Sequence, residues 1–215
     1  MKFIMAYSGG KDCTLALDRM IALGNDPVCL YTSVTKSLLN FNHGIRPEVF
    51  AQYEECFGIP VALSFVDRRC EDTDTSNALK KIIRDTGAEA LCTGDINRAD
   101  IYAWNRKMAD LLGVELITPL FHEEPESLME EFLSKGYKAC VKVVETDQLP
   151  KELLGRTIDR NLIEFFKSRI DMCGEQGEYH SLTTDGPIFK KPLKIRFGNV
   201  ISLDHIAMID AVADQ

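Results

Sequence analysis

The sequence lacks several features that would each define a class of protein. None of its apolar stretches approaches the ~20 residues needed to cross a bilayer, and it has no internal repeat or low-complexity tract. Its seven cysteines are odd in number and include no CxxC pair, so neither a disulfide framework nor a paired-thiol zinc site is indicated. We expect a reduced cytoplasmic protein without a membrane partner. Cysteines within apolar runs, such as Cys29, Cys92 and Cys140, should be buried.

Positive charge is also scarce. The chain has 215 residues, with 25 Lys and Arg against 33 Asp and Glu, which leaves a net charge of −8. Such a surface repels phosphate backbones and makes nucleic acid an unfavourable partner. Hydrophobic residues make up 45% and charged residues 27%, which is ordinary globular usage. The length of 215 residues favours one large α/β unit, alone or with a smaller partner. Any anion must therefore be held at a local site.

The hydrophobic pattern indicates the fold class. Short apolar runs alternate with segments of helical period, as in a mostly parallel sheet covered by helices. Five strands are predicted in the first part, at 2–7, 27–32, 61–66, 89–93 and 114–118. The second part is predicted to hold helices at 126–135 and 159–170 and strands at 137–144, 188–197 and 199–203. We expect an α/β fold with a doubly wound, mostly parallel five-stranded sheet over residues 1–121 and a smaller α+β domain over 122–215.

The most informative segment is the glycine loop after the first strand, SGGKDC at residues 8–13. Glycines let the backbone approach a ligand closely, and the N–H groups at the start of the next helix favour an anion. The loop has neither GxGxxG nor GxxxxGK followed by Ser or Thr, so a dinucleotide fold and the usual nucleotide-hydrolase loop are not indicated. It resembles the pyrophosphate loop SGGxDS of the ATP pyrophosphatases, which cleave ATP to AMP and pyrophosphate.

Cys13 stands where that loop has its last serine, and a thiol is a weaker hydrogen-bond donor than a hydroxyl. This difference puts one phosphate contact in question. It also leaves a second interpretation open, in which Cys13 lies at a helix N-terminus beside Lys11, has a lowered pKa and acts as a nucleophile.

Two further segments carry candidate chemistry. TGDI at residues 93–96 follows the fourth strand, and ligands bind at the carboxyl ends of parallel strands, so it should open onto the same cleft as the glycine loop. MCGEQGEYHS at residues 172–181 holds two glycines, two carboxylates, a tyrosine and a histidine within ten residues. Glu175 and Glu178 offer acceptors for an amine or ammonium, and His180 is a candidate base.

Together these segments resemble the diphthine-ammonia ligase family over nearly the whole chain. The resemblance rests on SGGKD, TGDI, LGRTID at 154–159 and, most specifically, CGEQGEYHS followed by DGPIF at 185–189. It implies an ATP-binding domain of adenine nucleotide hydrolase-like (HUP-type) fold and a smaller domain for the acceptor. It also implies ATP-driven amide formation, through an acyl-adenylate of a carboxylate-bearing acceptor that ammonia or an amine attacks. HGIR at 43–46 is similar to the variant of this segment in bacterial relatives. The resemblance therefore indicates the ATP chemistry of the glycine loop more strongly than it indicates the identity of the acceptor.

The expected site follows from these segments and from the resemblance. ATP should lie across the carboxyl ends of strands one, two and four, with Mg²⁺ beside Asp12 to balance the phosphate charge. The residues expected to bind nucleotide are Ser8, Gly9, Gly10, Lys11, Asp12, Cys13, Tyr31, His43, Gly94 and Asp95. The expected catalytic residues are Lys11, Asp12, Glu175 and Glu178. Those expected to bind the acceptor are Glu175, Glu178, Tyr179 and His180. His122 and His205 receive no role.

Other functions stay open at this stage. A basic strip, Lys190, Lys191, Lys194 and Arg196, would suit an ATP pyrophosphatase that modifies or thiolates tRNA. The Cys13 difference would suit a non-catalytic ATP-binding protein. A hydrolase that makes ADP is disfavoured by the missing nucleotide-hydrolase loop. The oligomeric state is open, with a homodimer as one option.

Overall fold

The computed structural model describes residues 1–35, 43–67 and 71–214. In the first part strands and helices alternate strictly. They are β1 (Lys2–Ala6), α1 (Lys11–Ala22), β2 (Asp26–Val34), α2 (Pro47–Phe57), β3 (Val61–Phe65), α3 (Glu71–Thr86), β4 (Ala90–Cys92), α4 (Ala99–Leu112) and β5 (Glu115–Ile117). Each of the five predicted strands is present, and the expected α/β class is confirmed.

The first sheet has the order β3-β2-β1-β4-β5, and all its neighbours are parallel. Strands β2 and β3 follow β1 on one side of the sheet, and β4 and β5 lie on the other side of β1. The order therefore reverses between β1 and β4, which is where open α/β sheets form a ligand crevice at the carboxyl ends of their strands. The glycine loop and TGDI follow these two strands.

Side chains on β1 alternate between two apolar layers. Phe3 and Met5 join the larger cluster, which α1, α2 and the second part of the chain cover, whereas Ile4 joins the smaller cluster under α3 and α4. Burial on both faces explains why the central strands β1 and β4 read as unbroken apolar runs. The six described cysteines are buried free thiols, as expected for Cys29, Cys92 and Cys140, while Cys70 lies outside the described residues.

The second part forms an antiparallel sheet of four strands in the order β7-β6-β9-β8. Its elements are α5 (Pro125–Ser134), β6 (Lys138–Glu145), a 3-10 helix (Lys151–Leu153), α6 (Arg160–Lys167), β7 (Tyr179–Asp185), β8 (Ile195–Leu203) and β9 (Ile206–Ala213). Within the described ranges, no helix is both long and apolar enough to span a membrane.

In the second sheet the strand predicted at 137–144 is confirmed as β6, but the other strand assignments were wrong. The strand predicted at 188–197 begins only at Ile195, and it is the same strand as the one predicted at 199–203. Pro187 and Pro192 lie in the preceding stretch, where they remove backbone donors that a strand needs. Strands β7 and β9 were not predicted. β7 begins inside the glycine-rich segment that the sequence analysis treated as a loop.

Tyr53 joins the two sheets directly behind the glycine loop. From α2, its hydroxyl donates to the carbonyls of Thr183 on β7 (2.7 Å) and Gly9 in the loop (3.3 Å). The Thr183 N–H in turn donates to the Gly9 carbonyl (2.8 Å). The second sheet thus forms one wall of the crevice.

Replacement of Tyr53 by Phe tests this junction. Loss of the buried donor should reduce the free energy of unfolding by about 1–2 kcal/mol, because the Thr183 carbonyl loses a short hydrogen bond. Urea unfolding measures the change. The matched control is Tyr102→Phe, whose hydroxyl contacts Arg106 on α4 (3.2 Å) and should cost less than about 0.5 kcal/mol. Equal losses in both variants would contradict the assignment.

Candidate active site

A cavity of about 270 Å³ opens at the predicted crevice. Three chain segments converge on it: the glycine loop, the turn after β4, and the stretch from Cys173 into β7. Of the expected site residues, those that line it are Ser8, Lys11, Asp12, Cys13, His43, Gly94, Asp95, Glu175, Tyr179 and His180. Gly9, Gly10, Tyr31 and Glu178 are described by the structure but lie outside this lining. The three motifs are therefore parts of one site.

Lys11 is the central charge of the cavity. Its side chain is only 2% exposed, yet its ammonium donates to Asp12 Oδ2 (2.9 Å) and to the Cys173 carbonyl (2.5 Å). It also lies 4.9 Å from the centre of the Tyr179 ring, within the range of a cation–π contact. Burial by itself lowers the pKa of Lys11, but the Asp12 carboxylate holds that pKa above its ordinary value. Lys11 therefore keeps its positive charge.

The backbone of the loop is held by β7 and by the turn that contains His43. Gly10 is the N-cap of α1, and a Cβ at that position would lie 2.7 Å from His43 Cε1, so glycine lets the imidazole pack on the loop. The Lys11 N–H donates to Ser181 Oγ (3.0 Å), and His43 Nδ1 contacts the Ser181 carbonyl (3.2 Å). Because a carbonyl only accepts, Nδ1 carries the proton in this arrangement.

His43 and His180 form a pair at the cavity edge, with ring centres 4.6 Å apart. Burial lowers the pKa of His43 to about 4, and the backbone contact to Ser181 only partly opposes this effect. Burial lowers the pKa of His180 as well, and the charges of His43 and Lys11 add to that shift. Both imidazoles are therefore neutral at pH 7.

The turn after β4 approaches the glycine loop more closely than any side chain would allow. A Cβ on Gly94 would lie 2.7 Å from the Cys13 nitrogen and 2.8 Å from its Cα. Next to it, Asp95 Oδ2 accepts from Thr93 Oγ1 and from Asn105 Nδ2, both at 2.7 Å. Burial raises the pKa of Asp95, which these two donors oppose.

Glu175 and Glu178 occupy different places, although the sequence assigned them one role. Glu175 lines the cavity, and its Oε2 accepts from the N–H groups of Ile96 and Asn97 at 3.2 Å each. Glu178 is 4% exposed, and its two oxygens accept from the N–H groups of Asp171 (3.1 Å) and Gln176 (3.0 Å). The expected direct contact of Glu178 with an acceptor is therefore corrected: this carboxylate holds the loop from behind.

The nucleophile interpretation of Cys13 is not supported. Its side chain is 5% exposed, and its Sγ contacts the Gly10 carbonyl (3.1 Å) and Ser8 Oγ (3.2 Å). Burial raises the pKa of this thiol to about 11, whereas a reactive cysteine needs a lowered one.

A second cavity, of about 280 Å³, continues from the first. The two share Ala6, Ser8, Ile101 and Asn105 in their walls. The second one is mainly apolar, and its walls include Tyr31, Leu79, Leu91, Trp104 and Met108. Tyr31 thus lies in an apolar pocket beside the more polar first cavity.

Three residues that line the cavity were not predicted from the sequence: Arg98, Asn105 and Ser181. Ser181 belongs to a motif already singled out, but its bond to the Lys11 N–H depends on a contact 170 positions apart. Asn105 lies on the buried side of α4 with Met108 and Ala109. A polar residue among apolar ones on that helix face could have indicated a residue of the site. Arg98 reaches the Glu175 carbonyl (3.3 Å) from the start of α4.

Potential metal-ligating side chains are dispersed in the part of the chain that the structure describes. Among the residues that the structure describes, no three His, Cys, Asp or Glu side chains are grouped to hold a metal ion. His122, which received no role, packs against Phe121, and His205 pairs with Asp147 on the surface (2.7 Å).

Comparisons with known proteins give consistent matches. Two family models match, Diphthamide synthase N-terminal domain over residues 1–117 and Diphthamide synthase C-terminal domain over residues 124–206. A relative named diphthine–ammonia ligase from Bos taurus is 30% identical, over 94% of this chain and 85% of its own length. One of the same name from Schizosaccharomyces pombe is 25% identical over 94% of this chain, which spans only 37% of that longer protein.

A solved structure also aligns, titled the predicted subunit of a tRNA methyltransferase from Methanocaldococcus jannaschii. It covers 89% of this chain and 99% of its own, at 17% identity and a TM-score of 0.45. At that level the likeness says nothing about function.

The close approach of the two loops predicts that Gly94→Ala is destabilising. The added Cβ meets backbone atoms that cannot rotate away, so we expect a loss of about 1–3 kcal/mol in the free energy of unfolding. The control is Gly198→Ala on β8, where the nearest atom to the new Cβ is Asp210 Cβ at 3.5 Å and the change should stay within about 0.5 kcal/mol. Unchanged stability of Gly94→Ala in thermal or urea unfolding would refute the close packing.

Proposed function

The chain belongs to the diphthamide synthase family, and from that premise we propose that it is an ATP-dependent ligase that converts a carboxylate into an amide. The carboxylate attacks the α-phosphate of ATP, pyrophosphate leaves, and ammonia displaces AMP from the acyl-adenylate with release of a proton. Relatives named diphthine–ammonia ligase support this reaction class. The observation that carries the proposal is the buried Lys11 ammonium where three loops meet in one cavity.

The polar cavity suits the phosphates. An ammonium has three donors, and Lys11 directs two of them to Asp12 and Cys173 and also interacts with Tyr179, so a phosphate oxygen would bind in exchange for one of these contacts. The start of α1 adds the partial positive charge of a helix N-terminus. A chain of charge −8 can thus hold an anion locally, and the low exposure of Lys11 strengthens its field.

The apolar cavity suits the adenine ring. Its walls bring Tyr31 and Trp104 together with aliphatic side chains beside Ser8, and flat aromatic surfaces favour stacking on a base. Its junction with the polar cavity at Ser8 supports a nucleotide pose in which the base lies on β2 and the phosphates lie on the glycine loop.

Magnesium fits the donor set as a partner of the phosphates. Asp12 offers a carboxylate, the hard oxygen ligand that Mg²⁺ takes together with phosphate oxygens. Burial is the main cause that raises the pKa of Asp12 and of Glu175. The charge of Asp171 adds to the shift of Asp12, and the charge of Asp12 adds to the shift of Glu175. These carboxylates therefore repel each other and an incoming triphosphate. Bound there, Mg²⁺ would supply the countercharge for the phosphates.

The remaining residues suit the acceptor and the amine. Glu175, Tyr179 and the neutral His180 line the side of the cavity that the second sheet forms, and a carboxylate beside neutral imidazoles is suited to an ammonium or amine. Glu178 acts as a positioning residue for this side. We accordingly assign nucleotide binding to residues 1–121 and acceptor binding to 122–215, in a reducing cytoplasm where the thiols stay free.

The products of ATP distinguish this function from its rivals. With ATP, Mg²⁺, an ammonium salt and a diphthine-bearing protein, we expect AMP and pyrophosphate in equal amounts. ADP and phosphate would refute the proposal. ATP binding without any turnover would favour a non-catalytic ATP-binding protein, and acceptor activity of tRNA would favour the tRNA-modifying alternative.

Lys11→Met supplies the matched variant. Loss of the buried ammonium should weaken ATP binding at least ~100-fold, because a desolvated charge-assisted contact to phosphate is removed. Calorimetric titration with ATP and Mg²⁺ measures the affinity. Lys107→Met, on the exposed face of α4 with its side chain 77% exposed, should bind ATP as the parent does. Equal affinities of both variants would disprove the phosphate site.

Glu178→Ala separates positioning from direct contact. Loss of the two acceptors for the Asp171 and Gln176 N–H groups should loosen the segment that carries Glu175 and Cys173. We expect turnover to fall at least ~10-fold with ATP affinity within about threefold, and the free energy of unfolding to fall by about 1–3 kcal/mol. Glu164→Ala on the exposed side of α6 is the control. Parent-like turnover of Glu178→Ala would refute the positioning role.

A further inference from the structure

The outer strand of the second sheet, β8, is open on one side. It pairs with β9 along its inner edge, and none of the other strands in the described ranges pairs with its outer edge. Every residue of β8 after Ile195 is exposed. Unpaired strand edges are ready to pair with another strand, and proteins usually cover them or keep them short and charged.

This edge is apolar rather than charged. Large apolar side chains on β8 and at the start of β9 are 38–59% exposed: Phe197, Val200, Ile201, Leu203 and Ile206. Neither the nucleotide site nor the acceptor wall uses them. The register with β9 puts Phe197 and Val200 on one face of the sheet and Ile201, Leu203 and Ile206 on the other. This exposed apolar strip along both faces of an open strand indicates an interaction surface.

The charges at the ends of β8 indicate what binds there. Lys194 and Arg196 lie at its start, and Asp204 follows its end, all with exposed side chains. In the basic strip of the sequence, Lys191 is already paired with Glu55. When a second β8 pairs antiparallel with Lys194 opposite Asp204, Asn199 faces its own copy. The opposite charges then meet twice, once at each end.

The bulge in β8 fits the same register. The strand is regular at 195–197 and 200–203, and its pairing with β9 shifts between Phe197 and Val200. In the self-pairing register the arm 195–197 of one copy faces 201–203 of the other, so regular arms pair with regular arms. The bulge then lies on the two-fold axis, where it disturbs neither arm.

We propose that β8 is a dimerisation edge, at which a second copy of this chain adds antiparallel to form a continuous eight-stranded sheet. Backbone hydrogen bonds supply the pairing, the apolar strip is buried between the copies, and the end charges select the register. The surface is separate from the nucleotide cavity, so this proposal stands or falls independently of the function proposed above.

The mass in solution is the first test. Light scattering across the micromolar range should give twice the chain mass of 24.2 kDa at the upper concentrations. Ile201→Lys should raise the dimer dissociation constant at least ~10-fold by placing a charge in the apolar strip. Leu23→Lys, at an exposed apolar position at the end of α1 (76% exposed), should leave that constant unchanged. A monomeric parent, or a dimer insensitive to Ile201→Lys, would overturn the proposal.

Charge reversal tests the register. Lys194→Asp should weaken the dimer about 3- to 10-fold, in line with the value of two exposed ion pairs, and the double variant Lys194→Asp, Asp204→Lys should restore the parent constant. Failure of the double variant to recover would overturn the register.

A disulfide provides a direct geometric check. Residues opposite each other in antiparallel strands have Cα atoms about 4.5–5.5 Å apart, within the range of a disulfide. In the proposed register Arg196 of one copy faces Ser202 of the other within the regular arms, so the double variant Arg196→Cys, Ser202→Cys should cross-link two copies when an added oxidant takes up the thiol protons and electrons. Leu23→Cys should not cross-link. A cross-link at position 23 but not in the double variant would mean that the copies meet elsewhere.

Discussion

The rest of the site depends on the compensation of one buried charge, the ammonium of Lys11. A buried charge without partners is strongly destabilising, and here the partners come from both halves of the chain. Asp12 belongs to the same loop, whereas Cys173 belongs to the segment before β7. The position of the second sheet is thereby tied to the position of the glycine loop, because the charge of Lys11 is satisfied only when both are in place.

The same dependence links nucleotide and acceptor. Ser181 accepts the Lys11 N–H and, through its carbonyl, contacts His43, so β7 touches both the phosphate loop and the edge of the cavity. Phosphate oxygens that approach Lys11 compete with protein oxygens already in contact with it. Binding of ATP and the position of the segment that carries Glu175 are therefore coupled in the function we propose.

How much could be predicted from the sequence depended on whether local chemistry decides the structure. Strands β1 and β4 were predicted because burial on both faces leaves an unbroken apolar run, and the outer strands because apolar runs continue to alternate with helical segments. The glycine loop was predicted because few residues tolerate its contacts. Strands β7 and β9 were missed because pairing with β6, rather than their own composition, defines them. Glu175 and Glu178 are chemically identical, and only the backbone donors around each one separate the cavity wall from its support.

Exchange of labelled pyrophosphate into ATP tests the central claim most directly, since it reports reversible activation of a carboxylate at the α-phosphate. With acceptor and Mg²⁺ present and ammonia absent, the account predicts exchange that depends on the acceptor. The adenylate forms but has no amine to react with, so labelled pyrophosphate attacks it and re-forms ATP. Absence of exchange, together with release of phosphate from ATP, would contradict an adenylate-forming site around Lys11.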